Sequence, residues 1–329
     1  MTDVIDRLLN SDDPAVRIKT EVQLLGADPY SWDTMVKRRQ IAGSPRVRAL
    51  LSERDAEGRI PHHPYKKWYG AHWVLAQLAD IGYPPGDASL LPLRDQAYEW
   101  LFSKRHRARI KEINGRTRRC ASQEGNALYY SLVLGLADSR TEELADLLMG
   151  WQWHDGGWNC DMRPEATNSS FMETLIPMRG LAWHHKLTGS GRPMQAALRA
   201  SNVFLKRRLF RRQSDGAVID PDFIRLHYPC YWHYDVLFAL KVLAEAGLIR
   251  DWRCDEALDL LESKRLPEGG FPAEAKYYTV TDRAISGRSL ADWGGASSRK
   301  MNEFVTADAL YVLKAAGRIR VAPRGAASN

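Results

Sequence analysis

Five stretches of the 329-residue chain repeat one pattern: a polar residue, a small or apolar one, then leucine or its equivalent, running on to a glycine. They are HWVLAQLADIG (72–82), NALYYSLVLG (126–135), ETLIPMRG (173–180), DVLFALKVLAEAG (235–247) and DALYVLKAAG (308–317), and RIKTEVQLLG (17–26) fits more loosely. Apolar residues three and four apart follow the helix period. The closing glycines suit helix C-caps. Between these stretches, LLSERDAEGRI (50–60), LLMGWQWHDGGW (147–158), RLFRRQSDGAV (208–218) and LLESKRLPEGGF (260–271) each end a helical run at an acidic-Gly turn. The glycines of those turns are 58, 156, 216 and 269, and the long first gap has room for one more unit around Asn114-Gly115. Helix–turn–helix units of about 50–60 residues, with no strand-like alternation between them, predict an all-α array. Six such pairs fill the chain, so the expectation is one (α/α)6 toroid of inner and outer helices over residues 1–320, followed by a frayed tail, VAPRGAASN (321–329).

Composition narrows the class. With 44% hydrophobic and 26% charged residues the chain reads as globular, not disordered. No apolar run reaches the roughly 18 residues that span a bilayer. The start, MTDVIDRLLN, lacks the pattern of a secretory signal, and four cysteines without a CxxC make no disulfide framework. A cytoplasmic protein with reduced thiols is expected. The net charge of +7 concentrates in KRHRARIKEINGRTRR (104–119) and KRRLFRR (206–212). Such runs fit a solvated face or an anionic partner: nucleic acid, an acidic lipid surface or a phosphorylated substrate. No zinc-finger, RRM or basic-zipper pattern accompanies them, which disfavours nucleic acid.

Gln152, Gly156 and Trp158 fit Q-x-x-x-G-x-W, the QW motif of squalene–hopene and oxidosqualene cyclases. With the helical periodicity around it, the chain resembles the terpenoid cyclase and protein prenyltransferase superfamily, and within it bacterial squalene-cyclase-like proteins without an assigned reaction. The resemblance implies an (α/α)6 barrel in which Gln152 and Trp158 tie adjacent helices together. An indole on a helix end and an amide bonded to backbone are stability devices.

In a toroid, His72, Asn126, Glu173, Asp235 and Asp308 would face the central cavity from one end, since each precedes an apolar run. Asp and Asn there compete with ordinary helix capping. Glu173 and Asp235 would be costly if buried without a role. In RLHYPCYWHYDVLF (225–238), His233 lies two residues before Asp235, a pair suited to general acid–base work, with the helix beginning after Pro229. Trp73, Trp232 and Tyr234 are the expected apolar walls.

The linkers before these helices hold His62, His63, Cys120, Cys160, Asp161, His227 and Cys230. If they gather on one rim, Cys160, Asp161, Cys230 and His227 form a ligand set of the kind Zn²⁺ takes. Otherwise the cysteines are small buried hydrophobes. Protein prenyltransferases carry an Asp/Cys/His zinc site that Asn159-Cys160-Asp161 resembles loosely, but order and spacing differ, so no ligand carries over.

The sequence departs from the cyclases where their chemistry lies. It has no D-x-D-D, Asp220-Pro221-Asp222 being nearest, and no D-D-x-x-D, DWRCDE (251–256) being a poor match. The expectation is therefore coarse. It is an enzyme acting on an isoprenoid or other apolar substrate, with or without a diphosphate, in the central cavity. Asp235 would be the acid or base and His233 would orient it, with Glu173, Asp308, His72 and Asn126 completing the polar ring. The alternatives are a zinc enzyme, a carbohydrate-active (α/α)6 enzyme built on two carboxylates, and a non-catalytic helical scaffold binding an anionic partner.

Overall fold

The computed structural model describes residues 2–322, so 323–329 of the expected tail lie outside the described residues. Helices dominate. The first half holds α1 (Thr2–Leu9), α2 (Pro14–Lys19), α3 (Trp32–Ala42), α4 (Pro45–Leu51), α5 (Ala71–Asp80), α6 (Leu91–Leu101) and α7 (Lys104–Arg107). The second holds α8 (Ser122–Val133), α9 (Ser139–Trp151), α10 (Phe171–Thr188), α11 (Gly191–Leu205), α12 (Val236–Glu245), α13 (Asp255–Ser263) and α14 (Glu303–Ala315). A π-helical turn, Thr20–Leu24, continues α2.

The helices fall into two kinds. α5, α8, α10, α12 and α14 are buried along most of their length, whereas α6, α9, α11 and α13 keep one exposed face. Each buried helix packs on the next: α5 on α8, α8 on α10, α10 on α12, α12 on α14, and α14 on α2 and its π turn. The glycine stops act as expected after α5, α8, α12 and α14, where Gly82, Gly135, Gly247 and Gly317 take φ of 76, 64, 75 and 78°. Gly180 does not. α10 runs on to Thr188 and ends at Gly189. Gly180 instead lies where α10 crosses α8, and a Cβ there would sit 2.8 Å from the Gly125 carbonyl oxygen. A Cβ at Gly125 would sit 2.6 Å from the Pro177 nitrogen, so the two glycines set how closely these helices approach.

Two features depart from an all-α chain. Asn114 and Gly115, expected at a helix–turn–helix unit, join two antiparallel strands, β1 (Lys111–Ile113) and β2 (Arg116–Arg118). Their φ values of 52 and 66° are those of a two-residue hairpin loop, for which Asn-Gly is the favoured sequence. Farther on, β3 (Thr279–Val280) and β4 (Arg288–Ser289) form a short parallel pair.

The polar residues expected at one end stand at different heights. Asp235 is the N-cap of α12, and His72 and Glu173 lie in first turns. Asn126 and Asp308 are in mid-helix, because α8 begins at Ser122 and Asn302 caps α14. At the centre, Asp308 pairs with Lys19 at 2.8 Å and Lys241 at 2.9 Å, and Lys241 also holds Asp80 at 2.9 Å. Arg179 joins Asp80 at 3.2 Å and Glu245 at 2.7 Å. Three cations and three carboxylates thus fill the middle, and beside them a cavity of only about 30 Å³ remains. That holds a water, not an isoprenoid.

Candidate functional site

The turn expected to tie helices does so. The Gln152 amide donates to the Gly156 carbonyl at 2.7 Å and to that of Ala196 in α11 at 2.8 Å. The Trp158 indole donates to the Leu148 carbonyl at 2.9 Å, and the Trp158 N–H to Thr174 Oγ1 at 3.2 Å. This fixes where the chain leaves the turn as Asn159-Cys160-Asp161.

Beside it runs the segment that leaves β2. Arg118 pairs with Asn159 in a parallel bridge, and the Arg119 N–H donates to the Asn159 carbonyl at 3.1 Å. Cys120 is therefore laid next to Cys160. The third arrival is Glu173 in the first turn of α10, which starts where the Ser170 hydroxyl accepts from the Glu173 N–H. Ligand atoms of Cys120, Cys160 and Glu173 all lie within 4.8 Å of one another. The Cys160 thiol lies 3.8 Å from Glu173 Oε1, while Oε2 accepts from the Ser122 N–H at 2.9 Å.

The protonation of this cluster follows from its contacts. A hydrogen bond from Cys120 lowers the Cys160 pKa, and the same bond, with burial and the nearby Glu173 carboxylate, raises that of Cys120. Of the two thiols, Cys160 is the first to lose its proton. Burial raises the Glu173 pKa against the Ser122 hydrogen bond.

The cluster opens into a cavity of about 430 Å³. Tyr65, Trp100 and Met162 give it apolar walls, and Lys66, Arg109, Arg118 and Arg119 line it, with no Asp or Glu among its lining residues. Arg119 is held by the Glu124 carboxylate at 3.0 and 3.1 Å and by Gln123 at 2.9 Å, and it also touches His106. His63, at the mouth, accepts from the Tyr65 N–H at Nδ1, 3.1 Å, so its proton resides on Nε2. Its pKa is lowered by partial burial and then by the surrounding positive charges.

No family profile matches the chain, and no curated protein matches it. Among solved structures it is similar to a type II terpene cyclase from Scytonema, a variant in complex with its substrate geranylgeranyl dihydroxybenzoate. The identity is 16%, covering 87% of this chain and 99% of that one, at a TM-score of 0.29.

The site's geometry divides the expected residues. Of the zinc set, only Cys160 reaches the cluster. Asp161 turns to Arg163, which holds it at 2.5–3.0 Å. His227 pairs with Asp235, Nδ1 to Oδ2, at 2.7 Å, and Cys230 lines the small central cavity, where burial and then Asp235 and Asp80 raise its pKa well above the ordinary value. Asn126 lines that small cavity too. The partner of Asp235 is thus His227, not His233. Asp235 also accepts from the N–H groups of His227 and Phe238, at 2.9 and 2.7 Å, so both its oxygens are engaged in holding the loop on α12. His233 instead stacks between Trp232 and Tyr277, and burial, with His227 and Lys67, pushes its pKa down to about 3.

His72 is wholly buried behind Trp100, and burial pushes its pKa down to about 3 as well. Trp73 is a core residue against Tyr65, and Tyr234 is a core residue whose hydroxyl donates to the Leu209 carbonyl at 2.6 Å. Among the described residues no helix is long and apolar enough to cross a membrane.

Proposed function

We propose that Cys120, Cys160 and Glu173 hold a divalent ion, zinc by the chemistry of the donors, and that the cavity above them is the active site of an enzyme for a small-molecule substrate. The observation that carries this reading is the convergence of two thiols and a carboxylate within 4.8 Å from three separate segments. The residues fit such an ion. Sulfur ligands at about 2.3 Å and oxygen at about 2.0–2.2 Å in a tetrahedron stand roughly 3.5–3.8 Å apart, and Cys160 and Glu173 are at 3.8 Å. Three acidic groups crowded together retain protons unless a cation replaces them. The Ser122 N–H on Glu173 Oε2 orients the carboxylate, as a supporting shell does around a metal.

Bound there with three protein ligands, zinc would supply a Lewis acid with an open coordination position. The chain's own groups do the rest. In the metal-free site Cys120 donates to Cys160 and so favours its thiolate, and on taking up the ion both thiols would release their protons. Tyr65 and Trp100 wall off water and leave room for an apolar portion of the substrate. His63 presents Nε2–H as a hydrogen-bond donor at the mouth. The packing order of the buried helices, with Lys19 of α2 reaching Asp80 of α5 at 4.0 Å, supports one ring of six helix pairs over residues 1–320.

Cobalt tests the site. Titrated into the apoprotein, Co²⁺ is expected to give thiolate-to-metal charge-transfer absorption in wild type and in Cys230→Ser, and to lose it in Cys160→Ser. The same spectrum from Cys160→Ser and wild type would reject the site.

A further inference from the structure

Two of the four free cysteines, Cys120 and Cys160, are brought side by side. Their segments run in parallel, joined by the Arg118–Asn159 bridge and by the Arg119 N–H on the Asn159 carbonyl at 3.1 Å. Neighbouring strands lie about 4.8 Å apart, inside the roughly 4.4–6.8 Å between Cα atoms that a disulfide spans. The two sulfurs lie within 4.8 Å of each other, and the Cys120 thiol donates a hydrogen bond to Cys160. Joining them therefore takes rotation of two side chains and no movement of backbone. Both are half-buried and line the cavity of about 430 Å³, so a solute that enters it reaches them. The other two cysteines stand apart. Cys254 is buried at the start of α13, and Cys230 lines the small central cavity of about 30 Å³.

Free donors line the same cavity. Arg118 is buried, and among the described residues its Nε and Nη2 have no hydrogen-bond partner, while Nη1 donates to the Ala166 carbonyl at 2.9 Å. Lys66 and Arg109 add cations, and none of the described lining residues is acidic. Donors and positive charge so placed stabilise an oxygen on which negative charge develops. A peroxide presents that oxygen to a thiol. As sulfur attacks one oxygen, the O–O bond breaks and the other oxygen carries the charge away.

We propose that Cys120 and Cys160 are a reversible dithiol–disulfide pair whose oxidant is a small hydroperoxide, and that its oxidation empties the metal site. Cys160 attacks the peroxide first. An S–O bond forms, the O–O bond breaks, and the departing oxygen takes the thiol proton, leaving as an alcohol, or as water when the oxidant is hydrogen peroxide. Cys120 then attacks the sulfur of the Cys160 sulfenic acid. The S–S bond forms, the S–O bond breaks, and the hydroxyl leaves as water with the Cys120 proton. Two thiols lose two electrons and one peroxide gains them. A thiol reductant reverses the bond by exchange. The thiolate is the metal ligand and disulfide sulfur is not one, so Glu173 alone remains to hold the ion. This last consequence rests on the proposed metal site; the dithiol pair does not.

Hydrogen peroxide in slight excess tests it, on the protein as purified and again after chelator has removed any metal. In both states the thiols counted by alkylation in denaturant are expected to fall from four to two. Peptide mapping should place the bond between Cys120 and Cys160, and dithiothreitol should restore all four thiols. In protein as purified, zinc released to a chromogenic chelator is expected to rise in step with the disulfide. Cys230→Ser should form the same bond, whereas Cys120→Ser should form none and leave Cys160 as a sulfenic acid that dimedone traps. Four thiols remaining after peroxide, or a bond that maps to Cys230 or Cys254, overturns the proposal. If Cys120→Ser does not fold, the wild-type peptide map decides alone. The disulfide in protein that never held zinc would sink the metal site and leave the dithiol pair standing. Zinc bound in wild type, with no disulfide even after chelation, would do the opposite. Zinc retained beside a Cys120–Cys160 disulfide would overturn the claim that oxidation empties the site.

Discussion

Cys160 owes its character to Cys120. Burial and Glu173 both act against a thiolate at Cys160, and the hydrogen bond from Cys120 outweighs them. In metal-free protein, Cys120→Ala removes that donor, so the apparent pKa read from the pH dependence of Cys160 alkylation is expected to rise. An unchanged profile would mean the two thiols do not share a proton. The sequence offered each member of the cluster separately. Cys160 and Glu173 are thirteen residues apart and Cys120 lies forty before Cys160, and they are joined by the bridge between Arg118 and Asn159 and by the Ser122 N–H on Glu173. The Asn-Gly pair was the available signal, since it marks a hairpin. Asp235 illustrates the opposite error. Its place before an apolar run suggested an acid or base, yet its oxygens are taken by a cap and by His227.

At the scale of elements, apolar periodicity placed the five buried helices well, and it misplaced the starts of two. α8 and α14 begin four and five residues before the polar residue taken as the marker, at a hairpin exit and at the Asn302 cap. Glycine has two roles that the sequence alone does not separate, a left-handed stop and a point of contact. Gly125→Ala, which would bring a Cβ into α10 backbone, is expected to destabilise the protein by about 1–3 kcal/mol. Gly150→Ala, exposed within α9 with nothing within 4 Å, is expected to stabilise it by up to about 1 kcal/mol. Denaturant unfolding of the two variants checks both signs.

For the whole molecule, the centre, expected to be an aromatic-walled cavity with a polar ring, is filled by a network of charges, and the usable cavity lies off-centre, against the hairpin. Hydrophobic pattern cannot report this, because Lys19, Arg179 and Lys241 sit singly within apolar helices and find their partners only when those helices assemble. Burial acts to raise the Asp80 pKa, but Lys241, Lys19 and Arg179 prevail and hold it well below its ordinary 3.8. A depressed folded pKa means that the stability Asp80 contributes is present above about 3.8 and is lost as pH falls toward the folded value. Acid titration of unfolding is expected to show that loss, and Asp80→Asn to remove its share of the slope. The variant should cost about 3–5 kcal/mol at neutral pH, by leaving three buried cations to share two carboxylates, Asp308 and Glu245. If Asp80→Asn matches wild type in stability, the network does not hold the centre together.

The most direct test of the account is the zinc content of protein purified without chelator or affinity metal, beside Cys120→Ser, Cys160→Ser and Cys230→Ser. The account predicts about one zinc per chain in wild type and Cys230→Ser, and none in the other two. Zinc that survives loss of both Cys120 and Cys160, or its absence from wild type, would contradict it.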